Sequence, residues 1–349
     1  MTRSIPKKVA VIGASGYSGE ELLRLLGQHP GIEVACITSR QYAGKPLGEI
    51  QPQFRGHPVL GAIKFSDSDV EGIVASGAEF VFLALPHGLA AEFAGPLLRN
   101  GLRVLDLSAD FRLHDPAVFE EFYHGKHPAP ELLGAAVYGM PEIHRSEITR
   151  ARLVACPGCY PTTITLPLVP LLKRGLLDPK TIIANSLSGV SGAGRKADVG
   201  FLFVECNESA RAYGVPVHRH LSEIEQELSL AAGETVRINF APHLIPLNRG
   251  MITTIHVNFS DSADIEAVTS AFEADYGSES FVRLLGASAI PDAKHVFRTN
   301  FIDIGWRFDT RTGRLILLSA IDNLTKGAAG QAVQCFNLLA GFPETTGLL

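Results

Sequence analysis

Val9-Ala10-Val11-Ile12-Gly13-Ala14-Ser15-Gly16-Tyr17-Ser18-Gly19-Glu20-Glu21-Leu22-Leu23 reads as a strand, a glycine-rich turn and the opening of a helix. The four apolar residues form a short buried run, and Leu22, Leu23, Leu25 and Leu26 give residues 20–26 an apolar helical face. Glycines between a strand and a helix let the backbone turn tightly and approach a pyrophosphate. The helix start then offers N–H groups and the positive end of its dipole. The spacing is GxxGxxG rather than GxGxxG, a weak signal by itself. Its position directly behind the first strand strengthens it. Gly13, Ser15, Gly16, Tyr17, Ser18 and Gly19 are therefore the expected phosphate-side contacts of a dinucleotide.

Working outward, β-branched runs at residues 33–38, 80–85 and 103–107 alternate with amphipathic stretches. That rhythm predicts βαβ units and a parallel sheet, a Rossmann-type α/β domain. The second strand ends Ile37-Thr38-Ser39-Arg40, with hydroxyls and a cation where an NAD site wants a carboxylate. Thr38, Ser39 and Arg40 suit the extra phosphate of NADP; a solvated loop arginine is the plain alternative. After residue 155 the texture changes. Residues 181–186, 235–240, 251–259 and 314–321 read as longer alternating strands, with helices at 264–276 and 326–339. This predicts an α+β domain on a mixed or antiparallel sheet, spanning 156–325.

The chain has 349 residues, 46% hydrophobic and 19% charged, with net charge −5. This is a globular balance without the basic footprint of a nucleic-acid binder. Five scattered cysteines argue against a disulfide framework and for a reducing compartment. The apolar run behind Arg3, Lys7 and Lys8 is too short for a signal peptide. Residues 153–172 carry no charge over a membrane-spanning length, but Pro157, Pro161, Pro167 and Pro170 argue against a spanning helix. They also suggest a short or kinked helix. The expectation is a cytoplasmic protein with no membrane partner.

Chemistry concentrates at Ala155-Cys156-Pro157-Gly158-Cys159-Tyr160-Pro161-Thr162-Thr163. Pro161 suits a first helical turn, which places Cys159 at a helix N-terminus, where the dipole favours a thiolate nucleophile. The rival is an inert buried cysteine. Cys156 and Cys159 also form a C-x-x-C, but no second pair completes a zinc site, and no metal is expected. His218-Arg219-His220 precedes Leu221-Ser222-Glu223-Ile224-Glu225. Ser222 with Glu225 suggests a capping box, leaving both histidines in an extended lead-in on one face. One of them would serve as acid and base.

These residues fall into an ordered set of motifs. Leu83-Ala84-Leu85-Pro86-His87-Gly88, Asp106-Leu107-Ser108-Ala109-Asp110-Phe111-Arg112 and Tyr138-Gly139-Met140-Pro141-Glu142 lie in the first half. Ser188-Gly189-Val190-Ser191-Gly192-Ala193-Gly194-Arg195, His218-Arg219-His220 and Asp322-Asn323-Leu324-Thr325-Lys326-Gly327 lie in the second. Together with the glycine turn and Cys159, they resemble the N-acetyl-gamma-glutamyl-phosphate reductase family of the aspartate-semialdehyde dehydrogenase superfamily, over nearly the whole chain. The family commonly has Asn at the place of Cys156 and Thr-Pro at Leu221-Ser222. The resemblance implies an N-terminal Rossmann domain over 1–155, completed by a helix near 326–349, and a catalytic and oligomerisation domain between them, in a homodimer or homotetramer. It implies Cys159 as nucleophile, with NADPH reducing a Cys159 thioester of the acyl phosphate and His218 or His220 giving the proton. It also places Pro86, Ser188, Gly189, Gly192 and Asn323 near the cofactor. Arg112, Arg195 and Arg219 are candidates for the substrate's phosphate or carboxylate. Rivals are aspartate-semialdehyde dehydrogenase, a carrier-linked acyl-phosphate reductase and a non-catalytic NADP redox sensor.

Overall fold

The computed structural model describes residues 5–195, 197–260 and 263–349, which divide into two compact units. The first comprises the described part of Met1–Ala117 with Gly125–Pro157 and Ala328–Leu349; the second is Val118–His124 and Gly158–Gly327. Apart from the short excursion at 118–124, the chain passes from the first unit to the second at Pro157/Gly158, two residues past the change of texture at 155. The excursion at 118–124 has no sequence signal.

The first unit is built on a seven-stranded sheet in the order β3-β2-β1-β4-β5-β7-β6, with every neighbouring pair parallel. The strands are β1 (Lys7–Ile12), β2 (Ile32–Thr38), β3 (Phe65–Ser66), β4 (Phe80–Leu83), β5 (Arg103–Asp106), β6 (Ala136–Tyr138) and β7 (Leu153–Ala155). The interior strands read as continuous apolar runs because helices cover both faces. On one face the chain's last helix, Gly330–Ala340, inserts Phe336 against Phe80 and Phe82 with ring centroids 5.0 and 5.8 Å away. β1 has β2 on one side and β4 on the other, so the strand order reverses there. Open parallel sheets bind ligands beyond the carboxyl ends at such a switch point.

The second unit carries a mixed sheet in the order β12-β13-β14-β11-β8-β10-β9. Its strands are β8 (Ile183–Ser188), β9 (Arg211–Ala212), β10 (Asn239–Leu244), β11 (Met251–Asn258), β12 (Val282–Gly286), β13 (Ile302–Asp309) and β14 (Arg314–Ile321). β11 alternates buried and half-buried positions over its whole length, the mark of a sheet with one covered face. β10 begins four residues later than the run at 235 suggests, and β12 and β13 were not read from sequence.

The helix Cys159–Leu172 lies on the covered face, and every residue from Tyr160 to Leu172 is buried. The sequence suggested a short or kinked helix; it runs fourteen residues through both Pro167 and Pro170. Each proline lacks the N–H that would bond the carbonyl four residues earlier. Those carbonyls find other donors. Ser319 Oγ donates to Thr163 O at 2.7 Å, and the Tyr276 hydroxyl donates to Leu166 O at 2.9 Å. Tertiary hydroxyls thus restore the two bonds that the prolines remove. Replacing Ser319 with Ala, or Tyr276 with Phe, strands a buried carbonyl. Each change is expected to cost about 1–3 kcal/mol, read as a lower urea midpoint at unchanged slope. Small polar side chains let helix and sheet approach: Thr253 Oγ1 donates to Thr163 Oγ1 at 2.8 Å and lies 2.7 Å from Ser186 Oγ. Among the described residues no helix is long and apolar enough to cross a membrane.

Candidate active site

In the first unit the glycines divide the work of the turn after β1. Gly13 has φ +81°, and a Cβ there would stand 2.4 Å from Ala84 O. A Cβ on Gly19 would meet Gly13 O at 2.6 Å, so helix and turn touch backbone to backbone. Gly16 differs. It caps the helix Tyr17–Leu26, and a Cβ on it would find only Gly13 O, at 3.7 Å. A side chain at Gly16 would therefore fill the open space before the helix start, the place a dinucleotide's pyrophosphate takes. Ser15 Oγ lies 3.3 Å from Ser39 Oγ, tying the turn to the end of β2. Thr38 is fully buried, and its hydroxyl accepts from Ser68 at 2.9 Å. Arg40 is exposed and stands 3.4 Å from Glu92, a surface pair of little energetic consequence. Pro86 is exposed just past β4, beside the turn.

The Arg112 side chain is buried, with Nε donating to Cys156 O at 2.8 Å and Nη2 to Leu107 O at 3.0 Å. Cys156 N–H donates to Asp106 O at 2.7 Å. Arg112 thus clamps main chain three residues before Cys159. Burial, and then the neighbouring Asp110, push the Asp106 carboxyl up to about 7. Asp110 accepts from Gly88 N–H at 2.6 Å and Ala91 N–H at 3.1 Å, which fixes the loop after β4.

In the second unit Cys159 is the first residue of its helix and only partly buried, with Gly158 as cap and no side chain capping from that position. The sulfur therefore stands at the positive end of the helix dipole. Cys156 is buried, and all five cysteines are free thiols. Gly158 N–H donates to Glu223 Oε2 at 3.2 Å, and Glu223 Oε1 lies 3.8 Å from His220 Nε2. Glu223 is 1% exposed. One buried carboxylate thereby binds the cap of the Cys159 helix and faces an imidazole.

Around it the rings of Tyr160, His218 and His220 meet edge to face, with His218 and His220 centroids 5.0 Å apart. The Tyr160 and Tyr213 hydroxyls are 2.7 Å apart, and burial drives both phenols to higher pKa. His218 Nδ1 accepts from His220 N–H at 3.1 Å, so neutral His218 carries its proton on Nε2. Burial, aided by the Arg219 guanidinium, lowers His218 to about 4. The expected capping box does not form. The helix begins at His220, Ser222 Oγ donates to Arg219 O, and Glu225 turns to Arg237 and Ile238 N–H. The histidines therefore share no extended lead-in; His220 is helical. Glu223 escaped the sequence reading, its one signal being its place three residues after His220.

The other expected contacts of this unit gather about Asn323. Its Oδ1 accepts from Gly250 N–H at 2.8 Å and its Nδ2 donates to Ser191 Oγ at 3.0 Å. Asn323 thus ties the loops at Gly250 and Ser191 together. Ser188 is buried, and a Cβ on Gly189 would meet Arg249 N at 2.9 Å. Gly192, Arg195 and Arg219 are exposed.

Residues 8–151 match the semialdehyde dehydrogenase NAD binding domain, and residues 159–323 match the semialdehyde dehydrogenase dimerisation domain. An N-acetyl-gamma-glutamyl-phosphate reductase of Akkermansia muciniphila is 60% identical over 98% of both chains. One of Geobacter metallireducens is 52% identical over 97% of both. Among solved structures, aspartate semialdehyde dehydrogenase II of Vibrio cholerae complexed with ASA superposes with TM-score 0.72 at 18% identity, covering 97% of this chain and 99% of that one. Aspartate semialdehyde dehydrogenase with NADP from Candida albicans gives 0.71 at 16%, over 96% and 98%. At such identities the likeness is one of fold.

Proposed function

The chain belongs to the N-acetyl-gamma-glutamyl-phosphate reductase family of semialdehyde dehydrogenases, and on that premise we propose that it reduces N-acetyl-L-glutamyl 5-phosphate to the 5-semialdehyde, a step of arginine biosynthesis. The observation that carries this reading is the cluster at the head of the nucleophile's helix, where Glu223 joins Gly158 N–H to the edge of His220.

Cys159 Sγ attacks the acyl-phosphate carbonyl, phosphate departs, and a thioester to Cys159 remains. The Gly13–Gly19 turn with Ser39 and Arg40 would hold NADPH, which would supply the hydride for the reduction. His220 Nε2, oriented by Glu223, gives a proton to the carbonyl oxygen and takes it back as the C–S bond breaks. His218 stays neutral and packs His220 in place. Arg195 and Arg219, on the unit that carries Cys159, take the anionic groups of the substrate. The enzyme works in the cytoplasm as a homodimer or homotetramer, associating through the domain that carries Cys159.

The direct test is phosphate-dependent reduction of NADP by a panel of semialdehydes. Highest kcat/KM for N-acetylglutamate 5-semialdehyde is the expected result; preference for aspartate semialdehyde would overturn the substrate. For the cofactor, Arg40→Ala should raise the KM for NADPH about tenfold, on the order of one charge-assisted hydrogen bond, and leave NADH unchanged. Equal loss with both nucleotides would remove Arg40 from the 2′-phosphate.

A further inference from the structure

Gly327 lies directly against the nucleophile. A Cβ built on it would stand 2.8 Å from Cys159 Cβ and 3.2 Å from Cys159 Cα. The chain arrives there in a π-helical turn, Thr325–Ala329, in which Gly327 N–H reaches back five residues to Asp322 O at 3.0 Å. Single π turns mark places where a helix is wound off its normal register. What holds this one is the side chain of Asp322, fully buried and ringed by donors. Its Oδ1 accepts from Leu324 N–H at 2.9 Å, Thr325 N–H at 3.0 Å and Arg249 Nη2 at 2.8 Å; its Oδ2 accepts from Arg298 N–H at 2.8 Å. Arg249 Nη2 also donates to Thr325 Oγ1 at 2.9 Å. Both ends of the clamp thus grip the turn that puts Gly327 on Cys159.

We infer that Asp322, held by Arg249, is a positioning residue for the reaction: it winds the 325–327 turn so that Gly327 backs Cys159 and fixes the sulfur at the head of its helix. The physical demand is a narrow one. A glycine is required at 327 because the nucleophile's own Cβ occupies the space, and the turn must stay wound, or the sulfur gains room to rotate away. This rests on Cys159 being the nucleophile.

The test uses full-length Gly327→Ala, Asp322→Asn, the double variant, and Cys159→Ser as reference. Turnover, NADPH binding by fluorescence, and alkylation of Cys159 by iodoacetamide across pH are followed. Gly327→Ala should lower kcat about 100-fold, the cost of a nucleophile displaced by about an ångström, with KM and NADPH affinity changed less than about threefold. Its alkylation profile should shift, a readout independent of substrate. Asp322→Asn keeps one of the two acceptor oxygens but not the charge, and should show the same signature more weakly. In the double variant the losses should not multiply, because one change already spoils what the other supports. Multiplying losses, or single variants that lose thermal stability while kcat and alkylation stay as in the parent, would overturn the inference. Should Asp322→Asn fail to fold, Thr325→Val removes one bond of the clamp and is read the same way. Parent-like turnover of Cys159→Ser alongside a shifted alkylation profile in Gly327→Ala would sink the covalent mechanism itself, with Gly327 still placing the sulfur but to no catalytic end.

Discussion

Cys159→Ser is expected to abolish phosphate-dependent oxidation of the semialdehyde, with kcat falling roughly 10⁴-fold or more while NADPH still binds. A serine hydroxyl at the same helix head is a far poorer nucleophile at neutral pH than a thiolate. The structure gives the change little else to disturb. Cys159 is only partly buried, and its helix is fixed by hydroxyls from Ser319 and Tyr276 further along. Nucleotide affinity should move less than about twofold. Rapid quenching of the parent enzyme with acyl phosphate, followed by peptide mass measurement, should find the acyl group on the Cys159 peptide. Its absence there, with catalysis intact, would remove the covalent step.

How much of this was legible beforehand varies with the physics of each element. The first strand, turn and helix were readable because local rules act alone there: φ +81° at Gly13 and the backbone approach at Gly19 admit no side chain. The β14 run 314–321 matched to the residue, since its alternation is the period of a sheet with one covered face. The nucleophile's helix was misjudged because proline was priced without its surroundings. Its length depends on Ser319 and Tyr276, which lie more than a hundred residues away in sequence. The bonds that Arg112, Thr38 and Asn323 make within the fold carried no sequence signal, because residue type does not name a side chain's partner. The capping box failed for a related reason. Ser222 and Glu225 have the right spacing, but the helix opens at His220, and Glu225 finds Arg237 and Ile238 N–H instead.

That earlier opening separates the two histidines, and the separation has a measurable consequence. His218→Asn should cost less than about tenfold in kcat, whereas His220→Asn should cost about 10²–10⁴-fold, the range of a lost general acid. His220 turns Nε2 toward a buried carboxylate that also holds the cap of the Cys159 helix. His218 has spent Nδ1 on His220 N–H and, at about 4, is neutral wherever the enzyme works. The sign of its linkage follows. A histidine lowered from 6.5 to about 4 on folding binds its proton more readily in the unfolded chain. Stability therefore rises with pH between about 4 and 6.5. Its contribution is complete above that window and lost as pH falls through 4. His218→Asn should flatten this acid limb of stability in urea titrations from pH 4 to 7 and leave the pH profile of kcat in place. His220→Asn should do the reverse, lowering kcat and keeping the acid limb. If instead the His218 variant suffers that loss of kcat and the His220 variant does not, proton transfer belongs to His218, and Glu223 serves only to cap the Cys159 helix.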